Sequence, residues 1–273
     1  MEKKNQEKIP LIGLGTYLLT GKTCTKIVEE ALEIGYRHID TAFAYQNHKE
    51  IAKAIKGFDR EKLFITSKLA VGLEQINDQN IEKSVEAACD LALKELQIEY
   101  LDLLLIHWPD RTRPLEQILA AMHTLVHKEK IRFPGVSNFT KHHLQDAYDA
   151  GVAVPFNQVE FHPYLYQKEL LDFGREHGTE LIAYRPFGKG LLMDQDHLFA
   201  EIGKVHGKTP AQVILRWIIQ KKVPVIPKAS STKHLLENFA LFDFSLSSSE
   251  EAKLDAINKN CRFCETDWNE FDY

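Results

Sequence analysis

The chain has 273 residues, 34 basic against 39 acidic, and a formal net charge of −5, so it lacks the cationic surplus that nucleic-acid binding needs. Hydrophobic residues make up 44%, enough for a full core. No apolar run approaches the ~20 residues of a membrane helix, and Met1–Lys8 is charged with no apolar stretch behind it, so neither a membrane partner nor a secretory leader is expected. Cysteines at 24, 89, 261 and 264 form no disulfide framework and suit a reducing compartment, with the cytoplasm as the expected location.

In chain order, short apolar runs alternate with segments of helical periodicity. Strands are expected at Ile12–Tyr17, His38–Ala42, Leu63–Leu69, Leu101–Trp108, Phe133–Asn138, Phe156–Phe161, Glu180–Arg185 and Val223–Pro227. Between and after them the pattern predicts helices over Cys24–Ile34, His48–Lys56, Asp78–Leu96, Pro114–Lys130, Lys141–Ala150, Lys168–His177, Pro210–Lys221 and Lys233–Leu241. In the third helix Ile81, Val85, Ala88, Leu91, Ala92 and Leu96 recur at spacings of three and four and give one apolar face. Thr209-Pro210 is a start signal, and Gly35, Gly57, Gly151 and Gly178 stand where a left-handed residue ends a helix. Repeated units of this kind predict one domain over residues 1–273, a (β/α)8 barrel of TIM type. A further helix, Ser249–Asn258, and the tail Cys261–Tyr273 should pack against a barrel face. An open doubly wound sheet would need a third glycine after Gly13-Leu14-Gly15.

Four ionisable residues stand where strands end. Asp40 closes Arg37-His38-Ile39-Asp40, Lys68 closes Leu63–Lys68, and His107 follows Leu103–Ile106; Tyr45 lies five residues beyond Asp40. If the strands are parallel, all four arrive at the C-terminal edge of the sheet, where such folds place their chemistry. A phenol, an ammonium, a carboxylate and an imidazole together make a proton donor with tuning partners. A free tyrosine titrates near ~10, and a Lys68 ammonium beside it is expected to lower that value.

These residues carry a resemblance. The blocks Gly35-Tyr36-Arg37-His38-Ile39-Asp40-Thr41-Ala42, Ile106-His107-Trp108-Pro109, Gly135-Val136-Ser137-Asn138-Phe139, Asn157-Gln158-Val159-Glu160, Ala183–Gly190 and Ile226-Pro227-Lys228 resemble, in order and spacing, the aldo-keto reductase superfamily. The likeness is greatest to its small bacterial and yeast-type members, the glyoxal and diketogluconate reductases. It implies metal-free, NADPH-linked reduction of aldehydes, dicarbonyls or keto sugars, with NADH as a possible cofactor. Tyr45 would donate the proton, Lys68 and Asp40 would tune it, and a neutral His107 would orient the carbonyl oxygen. A monomer acting on a small-molecule carbonyl substrate is expected.

The resemblance also implies a cofactor groove. Gly15, Thr16 and Tyr17 would lie along the ribose, with Asp40 beside them. Tyr184 would stack on the nicotinamide, and Ser137, Asn138 and Gln158 would bind its carboxamide. Arg185, Pro186, Phe187, Gly188, Lys189 and Gly190 would meet the pyrophosphate. Lys228 would take the 2′-phosphate, and Ala229, Ser230, Ser231, His234, Glu237 and Asn238 the adenosine end. His234 replaces a commoner Arg and Ala229 a commoner Ser, which narrows the preference for NADPH. Tyr17, Tyr45, His107 and Trp108 would wall the substrate pocket, and the tail residues Phe263 and Trp268 either join that wall or cap the barrel. Short connections after the fourth and seventh strands leave it open, and Arg111 and Arg113 could attract an anionic substrate. A cofactor-binding sensor barrel with slow turnover, and a Lys68 Schiff-base aldolase, are the competing readings. Cys261/Cys264 and His142/His143 read as structural.

Overall fold

The structure, a computed structural model, describes residues 9–70, 74–195, 197–267 and 269–273. Its strands are β1 (Leu14–Gly15), β2 (His38–Asp40), β3 (Phe64–Lys68), β4 (Leu101–Ile106), β5 (Ile131–Ser137), β6 (Phe156–Glu160) and β7 (Glu180–Tyr184). All pair in parallel, each with its successor in the chain. The expected eighth strand is not a continuous one. Val225 bridges Ile12 on one side and Ala183 on the other, and Lys228 bridges Gly15. Pro224 and Pro227 have no N–H to give a ladder, which explains the interruption. Backbone bonds still close the ring there, from Ala183 N to the Pro224 carbonyl (2.7 Å) and from Gly13 N to the Val225 carbonyl (2.9 Å). The first strand is shorter than expected, pairing with β2 only at Leu14 and Gly15. A Cβ on Gly15 would sit 2.7 Å from the Ile226 carbonyl oxygen, so this closure requires glycine.

The outer layer is helical: α1 (Gly21–Ile34), α2 (His48–Ala54), α3 (Ile81–Leu96), α4 (Leu115–His127), α5 (Lys141–Asp149), α6 (Lys168–His177), α7 (Leu192–Gln195), α8 (His197–His206), α9 (Pro210–Gln220), α10 (Thr232–Phe239) and α11 (Ser248–Ala256). Thr209 caps α9 reciprocally with Gln212, a contact of about 0.5–2 kcal/mol. On α3 the buried face is Val85, Cys89, Ala92, Leu93 and Leu96, while Leu91 is 40% exposed. The face is rotated from the expected one because Cys89 is buried as an apolar side chain. The segments α7 and α8 lie outside the expected elements; Phe199, Ile202 and Gly203 turn α8 onto the barrel.

Two cores result. One lies between strands and helices. The other fills the barrel with Ile9, Phe64, Leu103, Leu105, Phe156, Ile182 and Ile226. Each such side chain is stabilising by about 1.5–3 kcal/mol relative to exposure. Successive strand residues alternate faces, so the inner row also sets which polar residues crown the barrel.

Candidate active site

Counting by twos up the inner face runs Phe64, Thr66, Lys68 on β3 and Leu103, Leu105, His107 through the end of β4. On β2 it runs His38, Asp40, and on β7 Ile182, Tyr184. The same parity that buries the inner core therefore delivers Asp40, Lys68, His107, Gln158, Tyr184 and Lys228 to one opening. All but Lys68, which is buried and bonded to Asp40 and Tyr45, border a cavity of about 440 Å³ whose walls also include Gly15, Tyr17, Tyr45, Trp108, Ser137 and Asn138.

Tyr45 reaches this opening from the turn Phe43–Tyr45, closed by a left-handed Gln46. Fully buried Asn47 ties that turn down: its Oδ1 accepts from the Thr41 hydroxyl (2.6 Å), and its Nδ2 donates to the Thr16 and Leu19 carbonyls (3.0 Å each). Lys68 Nζ donates to Asp40 Oδ1 at 2.6 Å, to the Thr41 carbonyl at 2.8 Å and to the Tyr45 hydroxyl at 3.5 Å. The second Asp40 oxygen accepts from Gln158 Nε2 at 2.7 Å. The Tyr45 ring lies between Tyr17 and His107, at centroid distances of 5.1 and 5.8 Å.

Burial governs the electrostatics. Asp40 and Lys68 are each only 2% exposed; burial pushes the carboxyl up and the ammonium down, and their mutual attraction opposes both shifts. The fall expected for Tyr45 does not occur. Burial pushes its phenol well above the ordinary value, the Asp40 charge adds to the rise, and the Arg185 guanidinium opposes it. The Lys68 ammonium is closer to Asp40 than to the phenol and is largely neutralised there. His107 is held well below its usual range by burial and then by the Lys68 charge, so its ring is neutral. Its Nδ1 is buried without a hydrogen-bond partner.

The rest of the opening fits an elongated anionic cofactor. Arg185, Gly188, Lys189 and Gly190 all have left-handed backbone, and the Gly188 and Gly190 N–H groups close the turn onto the Arg185 and Phe187 carbonyls, which fixes the segment beside the opening. Lys189 and Lys228 are exposed, and neither has an ion-pair partner among the described residues. The cavity thus runs from a neutral imidazole and a protonated phenol to the exposed Lys228 ammonium, an arrangement that fits a nicotinamide dinucleotide.

A family model described as "Aldo/keto reductase family" matches residues 11–259. The chain belongs to the aldo/keto reductase family. It is an NAD(P)H-dependent oxidoreductase. It is 42% identical over 262 residues to glyoxal reductase of Bacillus subtilis (strain 168), covering 94% of this chain and 92% of that one. Among solved structures it superposes on MGS-M4, an aldo-keto reductase from a Medee basin deep-sea metagenome library, with a TM-score of 0.88 at 33% identity, over 97% and 98% of the two chains. It superposes on the aldose reductase of Schistosoma japonicum with a TM-score of 0.84 at 34% identity, covering 95% and 92%.

Several residues of this reductase are placed differently from a simple contact scheme. The Thr16 side chain is fully buried, with its hydroxyl donating to the Asp40 carbonyl at 2.8 Å, so no free group remains there for a ribose. Gln158 holds Asp40, as described. Ser137 Oγ donates to the Gln158 carbonyl (2.8 Å). Asn138 donates to the His107 carbonyl (2.9 Å) and accepts from the Tyr184 hydroxyl (2.5 Å), which locks Tyr184 in place. Arg185 donates to the Phe263 carbonyl at 3.0 Å. Pro186 and Gly188 are buried, and Phe187 packs on the outer core. Further along, Ala229 and Asn238 are buried, while Ser230 and His234 are exposed. Ser231 caps α10 by accepting from His234 N, and Glu237 accepts from the Thr209 hydroxyl.

At the substrate end, Arg111 pairs with Glu270 and lies over the Tyr273 ring, and Arg113 pairs with Asp78. Neither borders the cavity. Trp268 lies outside the described residues. The tail contributes Cys264 and Thr266 to the cavity wall, whereas the Phe263 ring turns against His162. Asn47 and Cys264 carry no local sequence signal, because each acts through a partner distant in the chain, Thr16 and Glu160.

Proposed function

We propose that this chain reduces small, uncharged aldehydes and dicarbonyls to alcohols with NADPH in the cytoplasm, using Tyr45 as the proton donor. The observation that carries this reading is the chain of contacts from Asp40 through Lys68 to the Tyr45 hydroxyl, beside a neutral His107 in one cavity. Bound NADPH supplies the hydride to the carbonyl carbon. His107 donates a hydrogen bond to the carbonyl oxygen and orients it. Tyr45 gives that oxygen its proton and is left as a phenolate. Lys68, kept charged by Asp40, stabilises the phenolate until solvent returns the proton. The raised phenol value suits this role: the proton stays on Tyr45 until an alkoxide, a far stronger base, develops. The engagement of Arg111 and Arg113 elsewhere favours uncharged substrates over carboxylates. So does the name of the B. subtilis relative, a glyoxal reductase. All four cysteines are free, in keeping with a reducing compartment.

The test is NADPH oxidation at 340 nm with methylglyoxal. A kcat on the order of 1–10² s⁻¹ is expected; turnover a thousandfold slower would favour a sensor barrel instead. In the same assay NADPH should exceed NADH in kcat/KM by about tenfold, and Lys228→Ala should bring the two within about threefold, the loss of roughly 1 kcal/mol of phosphate contact. An NADH preference in the wild type would refute the cofactor assignment.

With His107 neutral and Tyr45 protonated, neither group titrates near neutrality. The kcat for reduction should therefore be flat between about pH 6 and 9. An inflection near the usual histidine value would contradict the depressed imidazole.

A further inference from the structure

Glu160 ends β6 with its side chain fully buried, yet it does not border the cavity. An uncompensated carboxylate there would be strongly disfavoured. Its donors come mainly from the C-terminal segment: Phe263 N at 2.9 Å to one oxygen and Cys264 N at 2.8 Å to the other. His162 Nε2 lies 3.0 Å from the first oxygen, and since a carboxylate only accepts, that nitrogen carries the proton. Two successive backbone N–H groups therefore converge on one side chain more than a hundred residues away. Beyond them Cys264 and Thr266 reach the cavity. Phe263 faces the other way: its carbonyl accepts from Arg185, and its ring lies so close to Gly188 that a Cβ there would sit 2.6 Å from it.

We propose that Glu160 is a positioning residue: its carboxylate pins residues 263 and 264 as one wall of the cavity that the carbonyl substrate enters, and through Phe263 it joins that wall to the Arg185–Gly190 segment. The substrate half of this statement rests on the reductase reading; the pinning itself does not. A glutamine of the same shape offers one acceptor where two N–H donors converge, so the amide must face one of them with its own NH₂ group. The segment then detaches locally while the barrel stays closed.

The thiols report this directly. In a Cys261→Ser background, Cys24, Cys89 and Cys264 are all buried, and N-ethylmaleimide labelling with peptide mapping distinguishes them. Glu160→Gln should raise the Cys264 labelling rate at least ~10-fold while Cys24 and Cys89 stay protected, the signature of local opening. The KM for a bulky carbonyl, benzaldehyde, should rise about fivefold with kcat within about twofold, because the wall contacts substrate but not the reacting atoms. Hydrogen exchange on the unmutated protein gives a second reading that does not depend on the variant folding: the Phe263 and Cys264 amides should exchange at least ~10-fold more slowly than those of exposed Glu265 and Asp267. An unchanged Cys264 rate, opening of all three thiols together, or uniform exchange across 263–267 would overturn the proposal. Absence of carbonyl turnover with selective Cys264 exposure would instead remove the reductase reading and leave the pinning in place.

Discussion

Tyr45→Phe should lower kcat for carbonyl reduction by about 10²–10⁴-fold while NADPH affinity changes by less than about twofold. The substitution removes one oxygen and leaves the ring between Tyr17 and His107. The Lys68 bond to that oxygen is long, 3.5 Å, and Lys68 keeps its shorter bonds to Asp40 and Thr41. No buried donor is therefore orphaned, and stability should change by less than about 1 kcal/mol. A loss of turnover in a fully folded, cofactor-binding protein would isolate the proton transfer. Steady-state assays with methylglyoxal and fluorescence titration with NADPH measure the two halves. Turnover like that of the wild type would remove Tyr45 from the mechanism.

Lys68→Met should be the most destabilising single change at the site, costing about 3–5 kcal/mol near neutral pH in addition to the loss of activity. Methionine fills much the same space, so the loss is electrostatic rather than a cavity. Asp40 keeps only Gln158 as a partner and cannot leave its buried position. Without the ammonium, burial acts unopposed and raises the folded-state value of Asp40 further above the ~3.9 of an unfolded chain. A carboxyl raised on folding makes the folded state the better proton binder. Stability is therefore lost as pH climbs from the unfolded value through the folded one. The destabilisation of Lys68→Met should be larger at pH 8 than at pH 5, as read by urea unfolding at both. A penalty below about 1 kcal/mol, or one independent of pH, would show that the pair is not held as ions.

Much of this site is legible in the sequence because strand periodicity carries it. Once Phe64, Leu103 and Ile182 are assigned to the barrel interior, a spacing of two places Lys68, His107 and Tyr184 at its rim, and the helix stops at Gly35 and Gly178 hold the elements in step. Long-range pairing is the part that periodicity does not encode. Nothing local to Gln158 says that it will hold Asp40, nothing local to Asn47 says that it will brace the Tyr45 turn, and Glu160 reads as an ordinary strand end until Phe263 and Cys264 arrive beside it. The displaced apolar face of α3 has another cause: a cysteine behaved as a hydrophobe. The interrupted eighth strand follows from two prolines visible in the sequence, whose effect depends on which neighbours they face. The sign of the Tyr45 shift failed for an electrostatic reason. Lysine proximity was readable, but desolvation and the competition of Asp40 for the ammonium depend on three-dimensional burial.

The central claim is that a carbonyl oxygen is received between Tyr45 and His107 beside a nicotinamide ring. It is tested most directly by a crystal structure with NADP⁺ and a small aldehyde, a pair that cannot react in the reducing direction. The account predicts the aldehyde oxygen within about 2.6–3.2 Å of both the Tyr45 hydroxyl and a His107 ring nitrogen, with the nicotinamide against Tyr184. An aldehyde bound away from Tyr45, or a dinucleotide lying outside the opening ringed by Asp40, Gln158 and Lys228, would contradict it.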